Sequence, residues 1–375
     1  MYEVAYIEKI WKLEYQLNTM KLKLSILFFL LSGIAFAQKT ENVILITLDG
    51  VRWQEVFSGA DSSILNNPEY TETIDRTNER FWDASPVKRR EKLMPFLWRT
   101  VQNQGVIAGN RVLGSKVDIK NPYGFSYPGY NEILTGYPDP KVNSNDKNYN
   151  HNTTVLEFLN QQAETAGKVA AFCTWDVFPY IINDKRSGVY VSAAGTFNPV
   201  TNSPEEHLLD QIEYSVPSLA SGRFDFLTFY RAFDYLKNKA PKMLYLAFDE
   251  TDEFAHEAKY REYLYAINTI DNYISQLWEY CQSTPEYKDK TTIIMVTDHG
   301  RGDKIKSQWT SHGEKVEDCR SIWFAAIGPD TPAIGELGQN HQNYQNEIAA
   351  TVAKLLGQGY QNGHEIGKPI DWIVK

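Results

Sequence analysis

An acid and an imidazole stand side by side in the segment VTDHGRG (296–302). Asp298 and His299 follow the apolar run TTIIMV, whose composition is typical of a buried strand. Neighbouring side chains on a strand point to opposite faces. We therefore predict that the strand ends by Thr297, so that the turn at Gly300 lets both side chains reach one ion.

Further acids and histidines follow other apolar runs. Asp49 ends the run ILITLD, and His312 precedes a glycine in WTSHGE. Asp252 and His256 stand four residues apart in FDETDEFAH, and residues at this spacing share one face of a helix. Taken singly, each residue is also explained by a strand-end turn or a solvated acidic loop. Together, the carboxylates and imidazoles favour two metal sites with nitrogen and oxygen ligands, which suits zinc.

A nucleophile candidate lies in the segment YGFSYPGYNEILTG. Two metal ions a few ångströms apart serve phosphate-ester chemistry, because they bind both the attacking and the leaving oxygens. Pro128 suits the first turn of a helix, and Gly136 suits its end. Ser126 would then lie at the helix N-terminus, where backbone N–H groups favour anions. The alternative is that Ser126 is an N-cap.

Five apolar runs have the length and the β-branched or aromatic content of strands. Their hydrophobicity is continuous, which is typical of strands covered on both faces. Helical patterns lie between them, so the sequence predicts an α/β fold with helix layers around a sheet. Because ligands bind beyond the carboxyl ends of strands in such sheets, we expect the functional site there. The predicted strands are 42–48, 169–175, 242–248, 291–297 and 321–327; the predicted helices are 94–105, 153–167, 224–239, 260–281 and 346–357; the predicted loop insertions are 55–90 and 137–152.

Composition limits the classes of partner. The chain has 375 residues and a formal net charge of −9, which argues against a nucleic-acid polymer. A small anionic substrate in a locally positive site remains compatible with this charge. The three cysteines, Cys173, Cys281 and Cys319, are too few and too scattered for a disulfide framework. The sequence leaves open whether any two are bridged, and it leaves the oligomeric state open.

Residues 20–37 have the pattern of a secretory signal peptide, with a basic start, an apolar stretch and a small-residue site ending at Ala37. The apolar stretch is shorter than the roughly 20 residues that span a bilayer. Met20, rather than the first methionine, is interpreted as the start, and a tethered N-terminal anchor is the alternative. The segment 1–37 is then absent from the mature protein. We expect 38–375 to form one domain without a membrane span, in the periplasm or outside the cell.

The motifs resemble the metal and nucleophile pattern of the alkaline-phosphatase superfamily, in particular its type I phosphodiesterase / nucleotide pyrophosphatase branch. LDGVR, a serine-aromatic-proline motif running to TG, a D-x-x-x-H pair, TDHG and a late HG occur in the expected order, over roughly residues 42–330. The matched positions are Asp49, Ser126, Asp252, His256, Asp298, His299 and His312.

The resemblance implies a three-layer α/β/α sandwich with a mostly parallel central sheet. It also implies two divalent metal ions, zinc or alternatively manganese, and a small phosphomonoester or phosphodiester substrate hydrolysed through a phosphoserine. The implied ligands are Asp252, His256 and His312 for one ion and Asp49, Asp298 and His299 for the other, with Ser126 between them as nucleophile.

The sequence departs from the family pattern after the proline of the nucleophile motif. Gly129 and Tyr130 stand where the nucleotide-cleaving members usually carry Asn-His, which argues against a nucleotide substrate. Tyr130 also occupies the place of an arginine that a sulfatase would need. Asn131 or an asparagine within 145–152 is a candidate donor to the phosphoryl oxygens, and Arg186 is a candidate phosphate clamp. A structural role is the alternative for each.

Two other functions remain as alternatives. A phosphoglyceromutase-like phosphomutase of the same superfamily would use similar residues, but export would separate it from a cytoplasmic substrate. A non-catalytic protein that binds glycans or surfaces is the other alternative, since nine Trp and 23 Tyr could line a groove. The complete ligand set argues against it.

Overall fold

The computed structural model of the protein describes residues 11–21, 39–196, 199–216 and 222–374. Residues 11–21 are helical (α1), and the residues from Lys39 onward form a compact unit of their own. The predicted signal peptide, 20–37, lies outside the described residues apart from its first two positions. Within the described ranges, no helix combines the length and the apolar content that crossing a membrane requires.

A mixed, mostly parallel sheet lies at the centre of this unit. Its eight strands in the described residues follow the order β10-β2-β9-β7-β1-β6-β4-β5. Only β9 runs antiparallel to its neighbours β7 and β2. A smaller sheet has the order β11-β3-β8. The strands are β1 (Asn42–Leu48), β2 (Gly105–Ala108), β3 (Lys116–Asp118), β4 (Val169–Cys173), β5 (Tyr190–Ser192), β6 (Met243–Phe248), β7 (Thr291–Val296), β8 (Ser321–Ile322), β9 (Phe324–Ile327), β10 (Gly335–Glu336) and β11 (Gln342–Tyr344).

Helices connect the strands and cover the sheet. The α-helices after the first are α2 (Trp53–Ser58), α3 (Ser62–Leu65), α4 (Ile74–Phe81), α5 (Pro86–Leu93), α6 (Gln102–Gln104), α7 (Ser126–Thr135), α8 (Val155–Asn160), α9 (Phe178–Ile182), α10 (Asp184–Ser187), α11 (Pro204–Ser215), α12 (Asp225–Lys239), α13 (Glu250–His256), α14 (Tyr260–Ser283) and α15 (Ile348–Leu355). A π-helical turn spans Leu97–Val101, and 3-10 turns span Arg111–Leu113, Lys306–Thr310, Glu317–Arg320 and Gln345–Glu347.

Each face of the sheet has its own apolar core. On one face, Ile44 and Ile46 of β1 pack in a cluster with side chains of α12 and α14. On the other face, Val43 and Leu45 pack in a cluster with side chains of α7, α8 and α15. Because both faces are covered, the strands are apolar at nearly every position. The predicted three-layer α/β/α sandwich is confirmed.

The apolar runs located the strands well. All five predicted strands are present, and β1 has the predicted ends. β7 ends at Val296, so the prediction that this strand stops by Thr297 is confirmed. The run 321–327 is divided at Trp323, because the chain passes from the small sheet into the central sheet there.

Two predictions for the connecting segments are wrong. The segment 55–90 is helical over much of its length. Its helices α4 and α5 are short and highly charged, so they contain no apolar run by which the sequence could identify them. The predicted helix 153–167 is limited to α8. The predicted helix 94–105 is confirmed, since residues 95–104 are helical, with a π-helical turn at Leu97–Val101 before α6. The segment 137–152 has neither helix nor strand, as predicted.

Candidate active site

The candidate residues meet at one edge of the central sheet. β1 lies between β6 and β7, and all three strands are parallel, so their carboxyl ends coincide. Asp49 follows β1, and Asp298 and His299 follow β7. Asp252 and His256 lie on α13, which follows β6; His312 comes from the loop between two 3-10 turns, and Ser126 opens α7.

The turn after β7 directs two consecutive side chains to the same place. A Cβ atom at Gly300 would lie 2.5 Å from the carbonyl oxygen of Ser321, so this turn requires glycine. The Nε2 atom of His299 lies 3.4 Å from Asp298 Oδ2 and 3.3 Å from Asp49 Oδ1. The side chains of Asp298 and His299 therefore lie on the same side, unlike neighbouring side chains on a regular strand.

The Asp49 group consists of Asp49, Asp298 and His299, whose ligand atoms lie within 4.8 Å of one another. All three side chains are buried. Asp49 Oδ1 and Asp298 Oδ2 have no hydrogen-bond partner among the described residues. Buried polar atoms without partners are costly and rare. A divalent cation would satisfy these atoms, so the donor set fits zinc or manganese.

The Asp252 group consists of Asp252, His256 and His312, and its ligand atoms meet the same 4.8 Å limit. α13 is helical through both of its residues, which places them on one face. His256 Nε2 lies 3.0 Å from Asp252 Oδ2 and 2.9 Å from His312 Nε2. Asp252 Oδ1 lies 3.9 Å from His299 Nε2, so the two groups adjoin.

Backbone carbonyls fix the tautomers of two imidazoles. His299 Nδ1 lies 2.9 Å from the Gly300 oxygen, and His312 Nδ1 lies 3.1 Å from the Gly124 oxygen. A carbonyl oxygen only accepts hydrogen bonds, so each Nδ1 carries a proton and donates it. The lone pair of each Nε2 therefore faces the site, as a metal ligand requires.

Burial sets the charge states of the ionisable groups. It raises the pKa of Asp49 to about 7, and that of Asp298 well above its usual range, with neighbouring carboxylates adding to both shifts. Burial also lowers the pKa of His299 to about 4 and that of His312 to about 3, so both imidazoles are neutral. Several buried carboxylates are costly to ionise together, and a divalent cation removes that cost.

Ser126 lies beside the Asp49 group. Its Oγ atom is 3.5 Å from His299 Nε2, and the residue is 6% exposed. The helix N-cap is Phe125, so the alternative interpretation of Ser126 as an N-cap is wrong. The N–H of Tyr127 donates to Asn145 Oδ1 at 3.0 Å, which fastens the loop 137–152 to the start of the helix.

Arg301 is a buried residue that sequence reasoning missed. Its Nη2 donates to the side chain of Asp252 and to the Asp252 carbonyl oxygen. Burial raises the pKa of Asp252, but the charge of Arg301 and the hydrogen bond to His256 outweigh burial and hold that pKa well below its usual range. A Cβ atom at Gly50 would lie 2.7 Å from Asp252 Oδ1, so this pair requires a glycine there. The sequence feature that could have identified Arg301 is a basic residue two positions after His299.

Asn131 and Arg186, the two candidate phosphate contacts, make structural contacts. The Nδ2 of Asn131 donates to the Tyr137 oxygen, and its Oδ1 accepts from Asn150 and Asn152. Arg186 donates to both Glu157 oxygens and to carbonyls of residues 150–152. Both side chains thus hold the loop 137–152 in place, and we assign substrate binding to neither.

A buried ion pair supports the loop that carries Asp298 and His299. Arg52 donates to both carboxylate oxygens of Glu55, and both side chains are 0% exposed. Arg52 Nη1 also donates to the Gly302 oxygen at 3.0 Å, and the Tyr260 hydroxyl donates to Glu55 Oε1 at 2.8 Å. The pair therefore ties α2 to α14 and to the TDHGRG loop.

Glu55→Gln is expected to lower the free energy of unfolding by about 3 kcal/mol, because it removes the fully buried counter-ion of Arg52 and leaves the partly exposed Asp303 carboxylate, 3.7 Å from Nη1. The measurement is urea denaturation of both proteins. The matched control is Glu317→Gln, which removes the partner of Lys304 from an ion pair 71% and 85% exposed. We expect the control to change stability by less than about 1 kcal/mol. Equal stability of Glu55→Gln and the parent chain would contradict this role of the buried pair.

Solved structures share this fold over most of the chain. The alkaline phosphatase PafA superposes with a TM-score of 0.61 at 10% identity, covering 90% of this chain and 99% of that one. The phosphonate monoester hydrolase from Silicibacter pomeroyi gives 0.50 at 14% identity, covering 88% and 76%. The lipoteichoic acid synthase LtaP from Listeria monocytogenes gives 0.50 at 13% identity, covering 90% and 76%. The fold is that of the alkaline-phosphatase superfamily.

The family of the chain follows from its sequence. The model of the type I phosphodiesterase / nucleotide pyrophosphatase family matches residues 61–319, and the chain belongs to this family. The matched range contains Ser126 and every candidate ligand except Asp49, which precedes it. A comparison with curated protein sequences gives no match. The protein is a hydrolase that acts on phosphoester bonds.

Proposed function

We propose that the protein is an exported phosphodiesterase that works through a phosphoserine at Ser126 and two divalent metal ions, zinc or alternatively manganese. One observation carries the proposal: two adjoining Asp/His groups, one of which has unpaired buried carboxylate oxygens, lie beside a serine at a helix N-terminus. When bound, the two ions supply positive charge that stabilises the oxygens of an in-line displacement at phosphorus.

The chain's own residues define the reaction steps. The Oγ of Ser126 forms a bond to phosphorus as the bond to the leaving oxygen breaks, and the proton of the hydroxyl ends on the leaving alcohol. Water then displaces the serine, which releases a phosphomonoester and restores the hydroxyl. The N-terminus of α7 favours the negative charge of the phosphoryl group.

A cleft beside His312 supplies room for an ester substituent. Its volume is about 420 Å³, and its lining includes Tyr123, Phe125, Asn143 and Lys315. The aromatic rings suit a substituent that is apolar in part, while Glu314 in the same lining offsets the charge of Lys315. Because a monoester has no second substituent to place there, we favour a diester substrate.

The test is a substrate panel with protein loaded with zinc or manganese. We expect bis-p-nitrophenyl phosphate to be hydrolysed with a higher kcat/KM than p-nitrophenyl phosphate. A reversed preference would identify a phosphomonoesterase instead. Transfer of phosphate between two hydroxyls of a sugar phosphate, without release, would identify the mutase alternative. Hydrolysis of none of these substrates would contradict the proposal.

Export is part of the proposal and rests on the sequence of residues 20–37. The mature protein is expected to begin at Gln38, in the periplasm or outside the cell. N-terminal sequencing of the protein purified from a native-like host tests this. A chain that retains residues 1–37 would favour the tethered anchor.

A further inference from the structure

Helix α7 approaches the TDHG segment unusually closely. A Cβ atom at Gly129 would lie 2.6 Å from the Asp298 carbonyl oxygen and 3.1 Å from Asp298 Cβ. Contacts of the first length do not occur for real Cβ atoms, and the neighbour is backbone that cannot move cheaply. Glycine therefore allows the helix that carries Ser126 to rest directly on a residue of the Asp49 group.

The next residue on α7 contacts the same group. Tyr130 is buried, and its hydroxyl donates to Asp49 Oδ2 at 2.7 Å. Its ring packs edge-on against Phe178, with the centroids 4.6 Å apart, which fixes its direction. The other oxygen of the same carboxylate, Asp49 Oδ1, has no hydrogen-bond partner in the described residues and lies 3.3 Å from His299 Nε2. The tyrosine thus occupies one oxygen of Asp49 and leaves the other for an ion.

Ser126 and Tyr130 are four residues apart on α7, so they share a face of the helix. One helix face therefore delivers both the candidate nucleophile and the group that orients a candidate ligand. Any tilt of α7 that moves Ser126 also moves the hydrogen bond to Asp49. A phenylalanine would fill the same apolar space, so packing alone does not require the hydroxyl.

We propose that Tyr130 is a positioning residue of the Asp49 group: its hydroxyl holds Asp49 with a single oxygen turned toward the metal ion. The inference rests on the two metal sites of the proposed function. Groups that hydrogen-bond to a metal ligand fix its orientation, and their loss typically lowers metal affinity by about 10- to 100-fold.

The test is titration of Zn²⁺ into metal-free protein, followed by calorimetry. In Tyr130→Phe, we expect one of two binding events to weaken by about 10- to 100-fold and the other to remain unchanged. Tyr127→Phe is the matched control, because Tyr127 is a buried tyrosine of the same helix whose hydroxyl donates to the Asn148 carbonyl at 2.6 Å. The control should bind both ions as the parent chain does.

The outcomes separate this inference from the proposed function. Two unchanged binding events in Tyr130→Phe would overturn the role of Tyr130 and leave the two-metal site intact. Absence of Zn²⁺ binding by the parent chain would overturn both. Melting of the metal-free variants checks that Tyr130→Phe folds. If it does not, Phe178→Leu carries the test, because loss of the edge contact frees the direction of the Tyr130 ring. One event should then weaken, and two unchanged events in folded protein would count against the inference.

Discussion

Ser126→Ala is expected to lower kcat by roughly 10³-fold or more while both metal ions remain bound. The Oγ atom is the group that would bond to phosphorus, and alanine leaves water as the only nucleophile. Ser126 is absent from both Asp/His groups, so its removal should not change their ligand sets. The measurement is steady-state hydrolysis of a diester, together with elemental analysis of the purified variant.

Ser126→Thr is the matched control for that experiment. Threonine keeps a hydroxyl at the first residue of α7, so part of the activity should return. Trapping of a phosphorylated peptide that contains residue 126 would support the covalent intermediate directly. Near-normal turnover of Ser126→Ala would contradict the assignment of the nucleophile.

Asp298→Asn is expected to reduce the bound metal from two ions to one per chain and to lower kcat by roughly 10²-fold or more. Asp298 Oδ1 accepts from the Gly50 N–H at 3.0 Å, a bond that an asparagine oxygen can keep. The position of Asp298 Oδ2 then carries an N–H₂ group, which cannot bind a cation and faces His299 Nε2. The measurement is metal content after dialysis, with activity in the same samples.

Asp225→Asn is the matched control for the metal experiment. Asp225 is also a buried acid, and it accepts from Thr174 Oγ1 at 2.6 Å and from the Asp249 N–H at 3.0 Å. It belongs to neither Asp/His group. We expect this variant to keep two ions. Retention of two ions by Asp298→Asn would show that Asp298 is not required as a ligand.

Helix α7, the Asp49 group and the Asp252 group are held together by direct contacts. Gly129 lets α7 rest on Asp298, Tyr130 reaches Asp49, and Arg301 holds the carboxylate of Asp252 in its charged form. Each of these contacts links a different strand end or helix to the site. The site is therefore held by packed backbone and by buried hydrogen bonds, which limits movement of its ligands.

The strands and the candidate ligands could be predicted from the amino-acid sequence alone. Strands covered on both faces must be apolar throughout, so β1, β6 and β7 stand out as continuous runs. Acids and histidines directly after such runs have no role in an apolar core, which is why Asp49, Asp298 and the D-x-x-x-H pair could be selected. The helices α4 and α5 lacked this signal, because they are short, highly charged and bury few apolar side chains.

Which residues face one another depends on how the strands and helices pack. The strand order places β1 between β6 and β7, and this order alone brings Asp49 to Asp298 and His299. The packing of the layers also pairs Asn131 and Arg186 with structural partners. It brings the Tyr130 hydroxyl to Asp49, a candidate metal ligand. Hydrogen bonds between residues tens or hundreds of positions apart depend on how the layers pack. Local sequence carries the chemical type of each side chain but not its distant partner.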